Sequence, residues 1–442
     1  MNIYALSSGA GPSGIAIIRL SGEASGLIAK KICRTNELNI QQANFTKFYN
    51  PKNNEVLDEG LVIYFKGPNS YTGEDLVEFH THGSNAVITA FTNVLADFDN
   101  CRLAEPGEFT KLALQNDKID LLKAESIGDL INAETELQRK QAINFIQGHA
   151  TDHYNNLRDK LIKALAYIEA KIDFAEEDLP DSVLKDVHNS IKEVHQEIKI
   201  LLEDQKIGEK IRDGFRVSII GQVNAGKSSL LNLLAKKEAA IVSEEEGTTR
   251  DVIEVYLNID GYPVILSDTA GIRKTDSAVE KKGISKAIER SKESDLNIII
   301  IDNTSEKIDK EITDLINDNS IVVLNKSDLR NKTKHQFKNN KPILLSVKKN
   351  EHVDHLISEI KSRLSNKFIA QNKILITRQR HRIKLQQALK DIDNYLNKGS
   401  KKEIELAAED LRLATRNLGG IIGKVDIEEI LGSIFKDFCI GK

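Results

Sequence analysis

A glycine-rich stretch near the middle of the chain has the residue types and spacing of a phosphate-binding loop. It runs from Gly221 to Ser228, follows an apolar strand pattern and opens an apolar helix pattern. Its backbone N–H groups would cradle phosphates, Lys227 would neutralise the β and γ phosphates, and Ser228 would bind Mg²⁺. We therefore predict nucleotide contacts at Asn224, Ala225, Gly226, Lys227, Ser228 and Ser229.

Two more motifs, each at the end of an apolar strand pattern, would choose the nucleotide and sense its phosphates. In the segment 268–271, Asp268 would hold the metal through water and Gly271 would donate its N–H to the γ-phosphate. In the segment 325–328, the Asp328 carboxylate would accept two hydrogen bonds from guanine that adenine does not offer, which favours GTP over ATP. Further contacts are expected at Thr269, Ala270, Asn325, Lys326 and Ser346, the last in a loop where Val347 replaces the usual alanine.

The residues between these motifs indicate how hydrolysis would occur. Thr249 is the candidate switch threonine for the γ-phosphate and Mg²⁺, and a plain polar loop is the alternative. Ile272 stands where Ras-type switches carry the glutamine that orients the attacking water. Glu280 would replace that glutamine, although a solvated glutamate at a helix start is the simpler interpretation. No arginine finger is identifiable, and a monovalent cation held by Asn224 would supply the missing positive charge between the phosphates.

The elements that must position these motifs divide the chain into four segments. Residues 1–118 alternate turns with strand patterns at 15–18, 61–65 and 76–80, which predicts an α+β domain. Residues 119–213 carry helical spacing. Residues 214–368 alternate helices with buried strands at 217–220, 264–266, 296–301 and 321–324, the pattern of a parallel sheet wrapped by helices. Residues 369–442 are helical, and roughly 70 residues would be marginal alone. We expect them to pack on the first helical segment, so that the α/β unit is an insertion in a multidomain α/β chain.

Composition limits the class of protein. The chain has 442 residues, 40% hydrophobic and 29% charged, which is typical of a soluble globular protein. No apolar run reaches the ~20 residues of a membrane span, and no secretory signal is visible. Three widely separated cysteines favour a reducing compartment, so we expect a cytoplasmic protein. A net charge of −4 gives no overall sign of nucleic-acid binding.

The motifs together resemble the MnmE (TrmE) family of tRNA modification GTPases along essentially the whole chain. Beyond the nucleotide motifs, the likeness is carried by the segments 14–22, 68–75, 104–110, 116–121 and 439–442. The resemblance implies an N-terminal domain that binds tetrahydrofolate and forms a homodimer, a helical domain, and an inserted Ras-like P-loop G domain. It also implies a heterotetramer with the FAD-dependent partner MnmG (GidA). Together the two proteins would add a carboxymethylaminomethyl-type group to C5 of the wobble uridine in certain tRNAs.

The resemblance further implies residue roles. It places 5-formyl-tetrahydrofolate at Arg19, Glu78, Lys118 and Lys442. It places K⁺ at Asn224, Ser243, Glu245 and Thr248, and makes Glu280 the residue that orients water. Nucleotide contacts then extend through Ser243, Glu244, Glu245, Glu246, Gly247, Thr248 and Thr249. Two departures are Val223, where the family usually has proline, and the acidic character of this potassium loop.

A cysteine close to position 442 and a pair of histidines could also do chemistry, and two other functions would use the same nucleotide motifs. Cys439 is either a free thiol or, as the resemblance suggests, part of a functional tail near the folate. His80 and His82 are expected on a strand face rather than at a metal. The rival functions are a ribosome-assembly GTPase and a regulatory GTP switch without modification chemistry. A folate site at Arg19, Glu78 and Lys118 would argue against both.

Overall fold

The computed structural model describes most of the chain. The described residues are 1–9, 11–173, 181–238, 240–241, 254–268, 291–329, 337, 341–368, 374–397, 404–425, 434–435, 438 and 441, with only the backbone at 181–184, 240–241, 268, 367–368 and 404. By contacts, the chain forms two compact units. The first comprises residues 1–128, 145–191 and 391–442, and the second comprises residues 129–144 and 192–390.

The N-terminal part of the first unit is a mixed sheet with helices packed on it. Among the described residues its strands are β1 (Asn2–Leu6), β2 (Ser13–Ser21), β3 (Ala43–Tyr49), β4 (Val56–Phe65), β5 (Leu76–Gly83) and β6 (Cys101–Leu103). They lie in the order β3-β4-β5-β2-β1-β6. The helices are α1 (Ser25–Cys33), α2 (Asn85–Ala96) and α3 (Glu108–Gln115). The strands predicted around Ile15, Leu61 and Leu76 are confirmed as β2, β4 and β5.

The two faces of this sheet differ because side chains alternate along each strand. One face carries a buried aromatic group, in which Phe48, Phe79 and Phe91 pack with ring centroids 4.9 to 5.7 Å apart. The opposite face of β2 and β5 carries Arg19 directly across from Glu78 in the antiparallel register. The polar pair therefore lies away from the aromatic core.

Helices make up the rest of the first unit and the flanks of the second. Their bounds are α4 (Leu121–Ile131), α5 (Glu136–Ile146), α6 (His149–Asp173), α7 (Asp181–Leu202), α8 (Ile207–Asp213), α12 (Gln379–Asn397) and α13 (Ile404–Ile422). Helix α6 buries Leu157, Leu161 and Ile168 along one stripe, and α13 packs against it. The expected packing of the late helical segment on the earlier one is thus observed for these two helices. None of the helices in the described ranges is long and apolar enough to cross a membrane.

The second unit contains an α/β sheet. Its strands are β7 (Phe215–Gly221), β8 (Ala240–Ile241), β9 (Glu254–Ile259), β10 (Tyr262–Asp268), β11 (Leu296–Asp302), β12 (Ser320–Asn325) and β13 (Ile343–Leu345). The order is β13-β12-β11-β7-β10-β9-β8. Its helices among the described residues are α9 (Lys227–Lys237), α10 (Lys310–Thr313) and α11 (Val353–Phe368). The strands predicted at 217–220, 264–266, 296–301 and 321–324 are confirmed.

One edge of this sheet departs from the predicted parallel arrangement. Strand β9 pairs antiparallel with β10, and β8 pairs antiparallel with β9. For β9 and β10 the cause is a two-residue turn at Asp260 and Gly261, whose φ angles of 49° and 93° are both positive, as a tight hairpin requires. Strands β13, β12, β11, β7 and β10 are parallel, as expected. Their carboxyl ends therefore meet at one edge, where loops can converge on a ligand.

Candidate functional site

The phosphate loop links β7 to α9. Asn224 and Gly226 have φ angles of 61° and 101°, so the loop turns sharply before Lys227 begins the helix. A side chain at Gly226 is excluded, because a Cβ there would lie 2.3 Å from Asn325 Nδ2. The Lys227 ammonium donates hydrogen bonds of 2.8 Å to the carbonyls of Gly221 and Gln222. The Lys227 ammonium is thereby held across the loop whose N–H groups would bind phosphates.

Asn325, at the end of β12, holds three loops together. Its buried side chain donates to the Ala225 carbonyl at 2.8 Å and accepts a hydrogen bond of 3.1 Å from the Val347 N–H. The sequence predicts Asn325 as a nucleotide contact, and its amide here connects the phosphate loop to the loop that follows β13. The placement explains why Asn rather than Asp serves, because the side chain must donate and accept at once.

The residues predicted to select the base lie on adjoining loops. Buried Ser346 donates a hydrogen bond of 2.7 Å from its hydroxyl to Asp328 Oδ1, and its Oγ accepts one from the Lys349 N–H at 3.2 Å. The Ser346 hydrogen bond lowers the pKa of Asp328, and Lys349 and Lys348 add a smaller favourable charge effect. Asp328 is therefore an ionised acceptor at neutral pH, which is the state that pairs with guanine N–H groups.

The sequence does not single out Asp302, which completes this edge. It ends β11, beside β12 in the parallel register, and its carboxylate pairs with the Lys326 ammonium at 2.5 Å. Burial alone would raise the pKa of Asp302, but hydrogen bonds from Lys326 and Thr304 lower it. Lys326 has a φ of 66°, and its pairing with Asp302 fixes where its side chain runs. The signal that would have found Asp302 is its position at the carboxyl end of a central strand.

Several predicted nucleotide and cation residues cannot be placed. Asp268 ends β10, but only its backbone is described. Asn224 and Ser229 are exposed at the loop and helix start, and Ser228 lies between Lys227 and Ser229. The predicted residues that lie outside the described ranges are Ser243, Glu244, Glu245, Glu246, Gly247, Thr248, Thr249, Thr269, Ala270, Gly271 and Glu280.

A second site, which we call the Arg19 cluster, comprises Arg19, Tyr71, Glu78, Phe109 and Gly441 in the first unit. Arg19 donates two hydrogen bonds to Glu78 Oε1, at 3.1 Å from Nε and 2.7 Å from Nη2. Their side chains are only 15% and 17% exposed. The guanidinium carbon lies 5.5 Å from the Tyr71 ring centroid and 5.6 Å from that of Phe109. Its third nitrogen, Nη1, lies 3.3 Å from the Gly441 carbonyl.

The other predicted folate residues are placed only in part. Lys118 lies beside the Tyr71 loop, because a Cβ added at Gly73 would be 3.4 Å from Lys118 Cδ. Lys442 and Cys439 lie outside the described residues. On the same strand face, His80 Nε2 lies 3.6 Å from Glu78 Oε2, and His82 Nδ1 lies 2.8 Å from Asp58 Oδ1. The cluster therefore offers a cation, a carboxylate and aromatic faces, which suit a planar ligand with charged or amide groups.

Comparison with known proteins decides the family. The model of the MnmE helical domain matches residues 121–439, and that of the N-terminus of the GTP-binding protein TrmE matches residues 2–118. A relative from Pelagibacter ubique (strain HTCC1062), named tRNA modification GTPase MnmE, is 54% identical over 443 residues covering 100% of both chains. This chain belongs to the MnmE family of tRNA modification GTPases. Its N-terminal, helical and P-loop GTPase parts are those that the sequence predicts.

Other relatives of this MnmE-family chain are less similar. One from Paramagnetospirillum magneticum (strain ATCC 700264 / AMB-1), with the same name, is 43% identical over 442 residues, covering 100% of this chain and 99% of the relative. A solved GTP-binding protein from Sulfolobus solfataricus in complex with GDP aligns with a TM-score of 0.27 and 19% identity, over 48% of this chain and 67% of that one. The exact borders at residues 118, 213 and 368 stay a prediction.

Proposed function

We propose that this chain is a K⁺-activated GTPase that acts as a cytoplasmic homodimer with an FAD-dependent partner of the MnmG type. Together they would form the carboxymethylaminomethyl group at C5 of the wobble uridine in certain tRNAs. The observation that carries the proposal is the Arg19 cluster. A nucleotide switch alone has no need of a half-buried arginine and glutamate framed by two aromatic rings, far along the chain from its nucleotide loops.

The nucleotide part of the proposal rests on the loops at the carboxyl edge of the sheet. The Lys227 ammonium, which now bonds two loop carbonyls, would turn to the β and γ phosphates. The Asp328 carboxylate, which Ser346 orients through a hydrogen bond, would accept hydrogen bonds from guanine. Ser228 and Thr249 would hold Mg²⁺, which supplies positive charge between the phosphates. Glu280 would orient the attacking water, because Ile272 has no group able to do so.

The cation part rests on Asn224. Its side chain is exposed in the phosphate loop and has no hydrogen bond to any described residue, and the backbone is already in the left-handed region. An amide oxygen so placed suits K⁺, and Ser243, Glu245 and Thr248 would complete the ligand set. Turnover in K⁺ and in Na⁺ at equal ionic strength tests this part. A large excess in K⁺ that is lost in Asn224→Ala supports it, and equal rates in both salts refute it.

The folate part rests on the chemistry of the Arg19 cluster. Among the described residues, Arg19 Nη1 donates a long hydrogen bond of 3.3 Å to the Gly441 carbonyl, and Glu78 Oε2 lies 3.6 Å from His80 Nε2. A pterin-type ring would stack beside Tyr71 or Phe109, while its amide edge pairs with Glu78. Lys118 and Lys442 would meet the anionic parts of 5-formyl-tetrahydrofolate.

Reconstitution tests the whole proposal. The purified chain, the FAD-dependent partner, tRNA and a one-carbon folate are combined with GTP or with a non-hydrolysable analogue, in K⁺ buffer. Modified wobble uridine is then measured by mass spectrometry of digested tRNA. We expect product only with GTP. GTP hydrolysis without any uridine product, together with no binding of 5-formyl-tetrahydrofolate, would favour a ribosome-assembly GTPase or a regulatory switch instead.

A further inference from the structure

Lys326 lies between Asn325, which braces the phosphate loop, and Asp328, which would bind the guanine edge. Its backbone φ of 66° falls in the left-handed region, which residues other than glycine rarely adopt. Its side chain is 35% exposed, and its ammonium lies 2.5 Å from Asp302 Oδ2, at the end of β11. The stem of Lys326 therefore runs from the loop after β12 to the neighbouring strand, with its charged end held there.

Asp302 is itself held from its other side. Its Oδ1 accepts hydrogen bonds from the Thr304 N–H at 2.9 Å and from the Thr304 hydroxyl at 2.7 Å. The N–H of Asn303 donates to the Asn325 carbonyl at 2.9 Å, which ties the end of β11 to the loop that carries Lys326. Because both carboxylate oxygens are engaged, Asp302 would have to break its bonds to Thr304 in order to follow a moving ammonium. Lys326 is thus paired with a fixed acceptor.

A purine bound by its edge at Asp328 still needs a surface for the face of its ring. A lysine stem is apolar along its length and carries its charge at the far end, so it can cover an aromatic face while the ammonium stays elsewhere. A lysine without a partner samples many rotamers, and fixing them costs free energy when a ligand binds. Pairing with Asp302 removes that cost in advance, because the rotamer of Lys326 is already selected.

We propose that Asp302 is a positioning residue for the nucleotide base. It holds the Lys326 ammonium at the end of β11, so that the lysine stem forms a ready surface for the face of the ring. Thr304 contributes by orienting the carboxylate of Asp302. The inference rests on the proposed binding of the guanine edge by Asp328. It differs from that binding in kind, because Asp328 would select the base by its edge, whereas the Lys326 stem would pack on any purine ring.

A double-mutant cycle on the full-length protein tests this inference. Asp302→Asn removes the charge that holds the ammonium but keeps an oxygen that can accept from Thr304. Lys326→Met keeps an unbranched stem without the ammonium, so the stem no longer depends on Asp302. The matched control is Asp318→Asn, the same change at an exposed position of the same compact unit. Calorimetry gives the Kd of each variant for GTP, for ATP and for inosine triphosphate, whose base lacks the 2-amino group of guanine.

We expect Asp302→Asn to raise the Kd for GTP about tenfold in the otherwise unchanged protein, but less than about twofold in the Lys326→Met background. The Kd for inosine triphosphate should rise by the same factor as that for GTP, because both bases present the same ring to the stem. In steady-state assays the KM for GTP should rise with the Kd, with a smaller change in kcat.

A smaller substitution supports the cycle. Thr304→Val removes one of the two hydrogen bonds to Asp302 Oδ1, so it should raise both Kd values about threefold. Asp318→Asn should change neither. Thermal unfolding of each variant checks that it is folded, and if Asp302→Asn is not, Thr304→Val in both backgrounds completes the cycle.

The failure of this inference and that of the proposed guanine contact are distinguishable. An equal rise in Kd in both backgrounds would refute the inference, because Asp302 would then act without the Lys326 ammonium. No rise in either background would refute it as well, and so would a rise for GTP that inosine triphosphate does not share. If the unchanged protein binds ATP as tightly as GTP, the role of Asp328 is refuted. A coupling between Asp302 and Lys326 measured with ATP would then leave the positioning standing, and its absence would refute both.

Discussion

The nucleotide site and the Arg19 cluster are built in opposite ways. The nucleotide site uses loops that each follow a strand of one sheet, and its described members lie between Gly221 and Lys349. The Arg19 cluster joins β2, β5, the start of α3 and Gly441, so its hydrogen bonds span up to 422 positions of sequence. One site is assembled by local turns, and the other by strand register and packing.

This difference explains what each site demands of its residues. In the phosphate loop the backbone would do the binding, so the main requirements are glycine conformations and a helix start. In the Arg19 cluster side chains meet across strands, so a one-residue slip of register would turn Arg19 and Glu78 to opposite faces. If the two sites are also independent in energy, damage to one should leave ligand binding at the other unchanged. The following predictions test that separation.

The largest effect should come from Lys227→Ala. Losing the cation that would face the β and γ phosphates should lower kcat for GTP about 10²- to 10³-fold. The control is Lys236→Ala, the same charge change at an exposed position of α9. Turnover is followed by phosphate release. Loss of 5-formyl-tetrahydrofolate binding in Lys227→Ala would break the separation of the two sites.

Asp328→Asn should have the next largest effect. An amide cannot accept both guanine N–H groups, so the Kd for GTP should rise at least about 100-fold, while xanthosine triphosphate should bind better than before. Nucleotide binding is measured by fluorescence with labelled analogues, and Asp314→Asn, on the exposed end of α10, is the control. An unchanged preference for GTP would show that Asp328 does not read the base.

Arg19→Gln should act on the other site alone. It removes two hydrogen bonds to a partly buried carboxylate, so the Kd for 5-formyl-tetrahydrofolate should rise about 10- to 100-fold. GTP affinity should stay as it was. Arg34→Gln is the control, since Arg34 also stacks on an aromatic ring, Tyr49, but away from the cluster. Calorimetry of each variant with 5-formyl-tetrahydrofolate and with GTP measures both affinities.

The smallest effect should come from His82→Gln, on the strand that carries Glu78 but outside the cluster. The hydrogen bond with Asp58 raises the pKa of His82 above 6.5. Burial opposes ionisation of Asp58, yet the His82 hydrogen bonds lower its pKa below 3.8. The pair's contribution to stability is therefore fully present between these values, and it fades as pH falls through the lowered pKa or rises through the raised one.

Thermal unfolding measures this last prediction. The melting temperatures of the unchanged protein and His82→Gln should differ at about pH 5.5 and converge at about pH 8.5. A difference that grows with pH would contradict the assigned direction. Folate binding should be the same in both proteins, because His82 does not contact Arg19 or its partners among the described residues.

Much of the fold is predictable from local patterns, and the exceptions have identifiable causes. The strands at 217–220, 296–301 and 321–324 follow from continuous apolar runs, which only a doubly covered sheet can bury. The antiparallel edge departs from the predicted parallel sheet because Asp260 and Gly261 form a tight hairpin turn between β9 and β10. The hydrogen bonds of Asn325 do not follow from local patterns, because its partners lie 22 and 100 positions away in sequence.

The sequence by itself determined the family, the order of the nucleotide motifs and the preference for guanine, because those features depend on residue types at short, rigid spacings. Only the tertiary structure decided that Lys227 bonds the carbonyls of its own loop, that Ser346 donates a hydrogen bond to Asp328, and that Asp302 pairs with Lys326. It alone brought Ser7 and Arg19 to the Gly441 carbonyl. Hydrogen bonds need atoms within about 3 Å, and chain folding sets such distances between residues far apart in sequence.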